Sequence, residues 1–256
     1  MKITKLTWAS ILIESEGISI LVDPLGAPIT GQEKPFAAKL GEALEPIFTV
    51  KKLNRPYCIL VTHTHPDHFD YQSILVAFGP DISIYVPNEA TDFVEKLGFH
   101  RVIGAEPNDE FFINHIKIAA SYSVDGFGTP QVSWIINAGK QTVIHCGDTQ
   151  WHGYWWRISQ KYGPIHAAFL PVNGPILNVF GLKTQSSLPA CLTPEEAVEA
   201  AKILEADYLI PIHYGIFNNP PHYCETHNIE ERLMIRGEEV NVKVKILKTN
   251  EMFTIG

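Results

Sequence analysis

The chain has 256 residues, enough for one large α/β domain or two small ones, and 45% of them are hydrophobic, as in an ordinary water-soluble globular protein. Twenty Lys and Arg against 28 Asp and Glu give a formal charge of −8, which argues against nucleic-acid binding through a basic surface. No apolar run approaches the ~20 residues of a spanning helix and the start carries no basic-then-apolar signal pattern, so the expectation is a cytoplasmic protein with no membrane partner.

In chain order, Lys2–Ala9 and Ile11–Glu14 read as extended, Ser15-Glu16-Gly17 as a turn, and Ile18–Val22 as a strand stopped by Asp23-Pro24. Residues 24–56, rich in Pro, Gly and Lys, read as a long loop with a short helix around Phe36–Leu44. Tyr57–Thr62 is a buried-strand pattern, Tyr71–Phe78 a helix, Ile82–Val86 a strand and Asn88–Leu97 a helix capped by its asparagine. Strand patterns then crowd at Arg101–Ile103, Glu110–Ile113, His115–Ser121, Val132–Ala138 and Gln141–Cys146, the last two joined by a Gly139-Lys140 hairpin signal. Gly153–Tyr162 reads as an aromatic helix and Ala167–Pro171 as a strand. Thr193–Leu204 carries a threonine cap, a proline at the first helical position and acids in the first turn. Tyr208–Ile212 is a strand ending at His213, and Val240–Leu247 with Met252–Ile255 reads as a closing hairpin. The pattern implies two sheets inside layers of helices, in one domain spanning 1–256. Four scattered cysteines without a CxxC pair read as structural thiols.

The densest chemistry is His63-Thr64-His65-Pro66-Asp67-His68, four potential metal ligands at the exit of a strand. His63 and His65 alternate on extended chain and can face one side, while Pro66 turns the chain so that Asp67 and His68 can aim at a neighbouring point. One cluster can thus serve two ions. Further ligand types stand beside glycines at two other strand ends, His145-Cys146-Gly147-Asp148-Thr149 and Pro211-Ile212-His213-Tyr214-Gly215.

With Asp23-Pro24, Gly147-Asp148-Thr149 and Pro211–Gly215, this signature resembles the metallo-β-lactamase fold superfamily, and within it the metal-dependent hydrolases that include ascorbate-6-phosphate lactonase. The resemblance implies a four-layer αβ/βα sandwich with a site at one edge between the sheets. It implies that His63 and His65 bind a first ion, that Asp67, His68 and His213 bind a second, and that Asp148 bridges both. Asp67 and Asp148 become the catalytic carboxylates, and the cofactor is one or two divalent ions, Zn2+ or Mn2+, with Fe as the alternative. One family histidine is missing: its counterpart falls at Ser123, with Tyr122 and Asp125 close by, so a water, Asp125 or another histidine would complete the first ion's shell. The implied activity is hydrolysis of an ester, lactone, amide or phosphodiester of a small metabolite by a metal-bound hydroxide. The alternatives are an iron-dependent oxidoreductase or dioxygenase of the same fold, or a catalytically impaired metal-binding protein. The partner is a small-molecule substrate, and a homo-oligomer is compatible with this branch.

Other residues read more plainly. His145 is a core or outer-sphere histidine, and His152, His166, His222 and His227 are surface or structural ones. Trp151, Tyr154, Trp155 and Trp156 form an aromatic cluster, read as helix core or subunit interface before substrate lining. Lys183 reads as a solvated lysine.

Overall fold

The computed structural model describes residues 1–26, 40–178, 181 and 183–255. The chain builds two sheets. The first has the strand order β15-β1-β2-β3-β4-β5-β6, with β1 Lys2–Lys5, β2 Ile11–Ser15, β3 Ile18–Val22, β4 Cys58–Leu60, β5 Ser83–Pro87, β6 Arg101–Ala105 and β15 Met252–Thr254. The second runs β13-β11-β10-β9-β8-β7, from β7 Glu110–Ile113, β8 Ile116–Tyr122, β9 Val132–Ala138, β10 Gln141–His145, β11 Ala167–Pro171 and β13 Tyr208–Ile212. A two-stranded pairing of β12 Ile176–Leu177 with β14 Tyr223–Cys224 lies apart from both.

Alternation along the strands explains the layering. Ile20, Val22 and Leu60 enter one buried cluster with Ile118, Trp134, Ile136, Phe169 and Ile210 of the second sheet. Their neighbours Leu21, Ile59 and Val61 enter another, with Phe69 and with Ile74 and Phe78 of helix α1 (Tyr71–Phe78) and Val94 of α2 (Thr91–Lys96). On the second sheet Ile135, Ile144, Ala168 and Leu209 pack with Trp155 and Ile158 of α3 (Trp155–Tyr162), Ala197 and Ala201 of α4 (Pro194–Ile203) and Leu233 of α5 (Ile229–Val240). Both sheets therefore bury both faces, and the order of layers is helix, sheet, sheet, helix, the αβ/βα sandwich expected. Among the described residues no helix is long and apolar enough to cross a membrane.

Local signals account for most boundaries. Thr193 caps α4 in a reciprocal box: its side chain accepts from the Glu196 N–H, and Glu196 Oε2 accepts from the Thr193 N–H at 2.8 Å. Asp70 caps α1 by accepting from the Ser73 N–H at 3.0 Å.

One expectation fails. The hairpin of Val240–Leu247 with Met252–Ile255 does not form: α5 continues to Val240, the following segment touches β13 through one bridge at Leu209 and Val244, and β15 pairs with β1 instead. Helix α5 itself carries no strong sequence signal. Only Ile229, Leu233 and Gly237 are buried, a stripe too thin to stand out among its charges, and it is held to α4 by Arg232 on Glu195 and Arg236 on Glu199. Of the helix expected over Phe36–Leu44, residues 36–39 lie outside the described residues, and Gly41–Leu44 are irregular.

Candidate metal centre

Parallel strands expose their ends to loops on one rim, and here the carboxyl ends of β1, β3, β4, β8, β10 and β13 deliver Trp8, Asp23, His63–His68, Asp125, Asp148 and His213 to one place. Two ligand groups result. His63, His65, Asp125 and Asp148 offer atoms all within 4.8 Å of one another, as do Asp67, His68 and His213. Asp148 also groups with Cys191 and His213, so it stands between the two sets. All six ligand residues read from the sequence are thus brought together.

Asp23, buried under the cluster, sets the direction of two rings. It accepts from the Thr62 N–H at 2.7 Å, from the Thr62 hydroxyl at 2.6 Å and from His68 Nδ1 at 2.8 Å. Because the Thr62 proton is committed to Asp23, its oxygen receives His63 Nδ1–H at 3.1 Å. Both imidazoles therefore turn Nε2 toward the cluster. His213 does the same through Asn173, whose Oδ1 accepts from His213 Nδ1 at 3.1 Å while its amide donates to the Tyr223 hydroxyl at 2.7 Å. Hydrogen-bonded acceptors behind metal-binding histidines fix the tautomer and aim the lone pair. His65 pairs its Nε2 with Thr129 Oγ1 at 2.9 Å and turns Nδ1 to His63 Nε2, also 2.9 Å away.

Trp8 and Gly147 also shape the rim. Trp8 donates its indole N–H to Asp67 Oδ2 at 3.0 Å and lies against the His213 ring, centroids 4.1 Å apart. Trp8, Asp23 and His213 all have positive φ, 62°, 43° and 61°, a conformation that non-glycine residues hold only where the surroundings enforce it. Gly147, at φ 61°, lets β10 pass over β4, since a Cβ there would stand 2.6 Å from Thr62 Oγ1.

The electrostatics fit a cation. Burial, helped by repulsion from His68, lowers His63 to about 3, leaving a neutral ring with a lone pair. Burial also works against the His68 charge, but Asp67 and Asp23 outweigh it and lift that ring to about 9. Its Nε2 nevertheless finds no hydrogen-bond partner, nor do His213 Nε2 and Asp148 Oδ1. Burial raises Asp148 above the usual carboxylate range, whereas for Asp67 it is overcome by His68 and His213, which hold that carboxyl well below it. Buried polar atoms left unpaired and facing one another are costly, and a divalent ion satisfies them all at once. With mixed imidazole and carboxylate donors, His63, His65 and Asp148 could hold one ion and Asp67, His68, His213 and Asp148 a second.

Several residues differ from their sequence reading. Ser123 turns away from the cluster: its hydroxyl donates to the Cys146 carbonyl and accepts from Gln131 Nε2 at 2.6 Å, and Asp125 takes the place beside His65. Cys191, read as a structural thiol, sits within the ligand set, carried there by the loop after β12. Asn173, Thr62 and Trp8 had no sequence signal for their parts, and Asp23 only its place after a strand. His145 lies behind the site, Nε2 donating to the Ala9 carbonyl at 2.7 Å. In the aromatic cluster Trp155 is buried, while Trp151, Tyr154 and Trp156 stay exposed, away from the cavity lining. That cavity is walled by Leu40, Phe127, Pro175, Leu177, Ala190 and Tyr223 beside the carboxylates.

Comparison with known proteins agrees with this fold. The model of the beta-lactamase superfamily domain matches residues 19–214. A UPF0173 metal-dependent hydrolase of Methanopyrus kandleri is 26% identical over 263 residues, covering 99% of both chains. Another UPF0173 metal-dependent hydrolase, from Thermococcus kodakarensis, is 30% identical over 230 residues, 86% of this chain and 87% of that one. Among solved structures, an isothiocyanate hydrolase from Delia radicum gut bacteria superposes with a TM-score of 0.77 at 19% identity, covering 100% of this chain and 99% of that one. The chain belongs to the beta-lactamase superfamily, in its branch of metal-dependent hydrolases.

Proposed function

We propose that the protein hydrolyses an ester, lactone, amide or phosphodiester bond of a small metabolite, with His63, His65, Asp67, His68, Asp148 and His213 holding one or two divalent ions. The observation that carries this reading is the set of buried atoms without a hydrogen-bond partner, His68 Nε2, His213 Nε2 and Asp148 Oδ1, in the clustered ligand-type residues. A divalent ion bound there acidifies water and stabilises negative charge developing on an attacked carbonyl or phosphoryl group.

The chain's own residues do the rest. Asp67, anchored by the Trp8 indole and kept ionised by its histidine neighbours, accepts a hydrogen bond from the attacking water and orients it. Asn173 and Asp23 keep His213 and His68 from rotating, so the donor set is preorganised. The apolar walls around Phe127, Leu177 and Tyr223 limit water and favour a compact substrate. A charge of −8 and the lack of a basic cluster beside the motifs support a small molecule over nucleic acid, and leave a phosphorylated sugar less favoured than a neutral lactone or ester.

A second reading, iron-dependent oxidation, draws support from the oxygen-rich donor set that Asp125 creates beside His65. Purified protein reloaded separately with zinc, manganese and iron, assayed on lactone, ester, amide and phosphodiester panels with oxygen uptake in parallel, decides between them. Cleavage abolished by His63→Ala together with its metal supports hydrolysis. Oxygen consumption without cleavage favours oxidation, and wild-type metal content in His63→Ala rejects the ligand set.

A further inference from the structure

We propose that Asp125 is a ligand of the ion held by His63, His65 and Asp148, and that it makes this position oxygen-rich, so that manganese(II) or iron(II) competes there with zinc. The inference rests on the metal-dependent reading above and adds the class of ion.

Asp125 is 5% exposed, and its two oxygens have separate duties. Oδ2 accepts from the backbone N–H groups of Phe127 at 2.7 Å and Thr129 at 2.8 Å, which pins the carboxylate in its loop. Oδ1 is left on the cluster side, 3.7 Å from His65 Nδ1. The loop packs closely on the segment opposite: a Cβ on Gly126 would stand 2.6 Å from the Ala190 carbonyl oxygen. Ser123 is committed to Cys146 and Gln131, so the pinned oxygen of Asp125 is what the β8 end presents to the histidine pair. An independent observation points to a cation there: Asp148 Oδ1, buried and without a hydrogen-bond partner, belongs to a residue of the same group.

Two imidazole nitrogens and two carboxylate oxygens balance a divalent charge. Oxygen donors suit harder ions, and each imidazole replaced by a carboxylate narrows the advantage that nitrogen-rich sites give zinc. The preference is thus built into one side chain and should move with it.

The test uses full-length protein stripped of metal and titrated with Mn2+ and with Zn2+ against a chromogenic chelator, stoichiometry being read by mass spectrometry. Asp125→Asn keeps an oxygen for the two loop N–H groups but removes the anion. It should lose about tenfold or more in Mn2+ affinity at one position and leave the other unchanged. Asp125→His should raise the zinc-to-manganese affinity ratio at that position by a similar factor, about tenfold. Should either variant fold poorly, diffraction from Mn2+-loaded wild-type crystals at the manganese edge is the second measurement, and an Asp125 oxygen bonded to the ion is the expected result. Wild-type affinities and ratio in both variants, or an ion in the crystal with Asp125 turned away, overturn the assignment of Asp125 alone. A wild-type chain that takes up no ion overturns it together with the hydrolase reading.

Discussion

Asp23 steers histidines from two directions, holding His68 directly and His63 through Thr62, without being in either ligand group itself. Replacing it with asparagine leaves the size unchanged but turns an acceptor into a mixed donor and acceptor, so the His68 ring is no longer fixed by a carboxylate. Asp23→Asn is expected to lower metal affinity by about 10–100-fold. Competition with a chelator measures this, and an unchanged constant would show that the rings are held by packing. In sequence Asp23 signals a strand stop before proline and part of the family resemblance but no role of its own, because nothing in a linear pattern says that residues 62 and 68 will converge on it. A histidine outside the cluster contributes to acid stability. His152 stacks on Trp155 with centroids 4.0 Å apart, accepts from the Tyr154 N–H and has no partner at Nε2; burial lowers it to about 4. In the unfolded chain it titrates near about 6.5, so between those values the unfolded state binds the extra proton. Stability therefore rises with pH through that window and is lost as pH falls from 6.5 toward 4, by on the order of 2–3 kcal/mol at most. His152→Phe should make that segment shallower, measured by urea unfolding at pH 7 and 4.5; the same loss in both proteins would remove His152 as a source.

At the scale of elements, what could be read depended on whether a signal was local. The Thr193 box and its proline announce α4, and alternating β-branched residues announce β2, β3, β9 and β10. Helix α5 has its stabilising contacts on α4, thirty-seven positions away for both Arg232 and Arg236, and so was not legible from its own composition. The crossing of the β10 turn over Thr62 was equally hidden. It can be tested with a pair of substitutions. Gly147→Ala meets Thr62 Oγ1, whereas Gly139→Ala, at φ 66°, meets nothing within 4 Å. Each should lose about 1–2 kcal/mol for a left-handed non-glycine residue. Only Gly147→Ala should lose more and release metal as Thr62 shifts. Thermal melts with metal counts check this, and equal behaviour of the two would mean that Thr62 yields freely.

At the scale of the whole molecule, the layered fold and the convergence of the six candidate ligands were legible because the His63–His68 signature and the two glycine-flanked strand ends are compact in sequence. Asp125 could be read only as one of three ways to complete the first ion's shell, and Cys191 only as a structural thiol, since each is placed by a loop whose course follows from packing: Gly126 against Ala190 for one, and the Leu192 N–H on the Thr149 carbonyl for the other. The family match, residues 19–214, likewise ends before α5 and β15, the stretch where the expected closing hairpin failed.

Each ligand group draws on both sheets. His63, His65, Asp67 and His68 follow β4, while Asp125, Asp148 and His213 follow β8, β10 and β13. A filled centre is accordingly a clasp across the open rim of the sandwich, and its removal should unfasten that rim while leaving the opposite one closed. Chelation is expected to lower the melting temperature, with about 4 kcal/mol lost if the ion had been present at 1,000 times its dissociation constant. Hydrogen exchange should quicken first at the carboxyl ends of β4, β10 and β13, with the amino ends of the same strands keeping their protection. Uniform quickening along those strands would mean that the ions serve chemistry without fastening the two halves together.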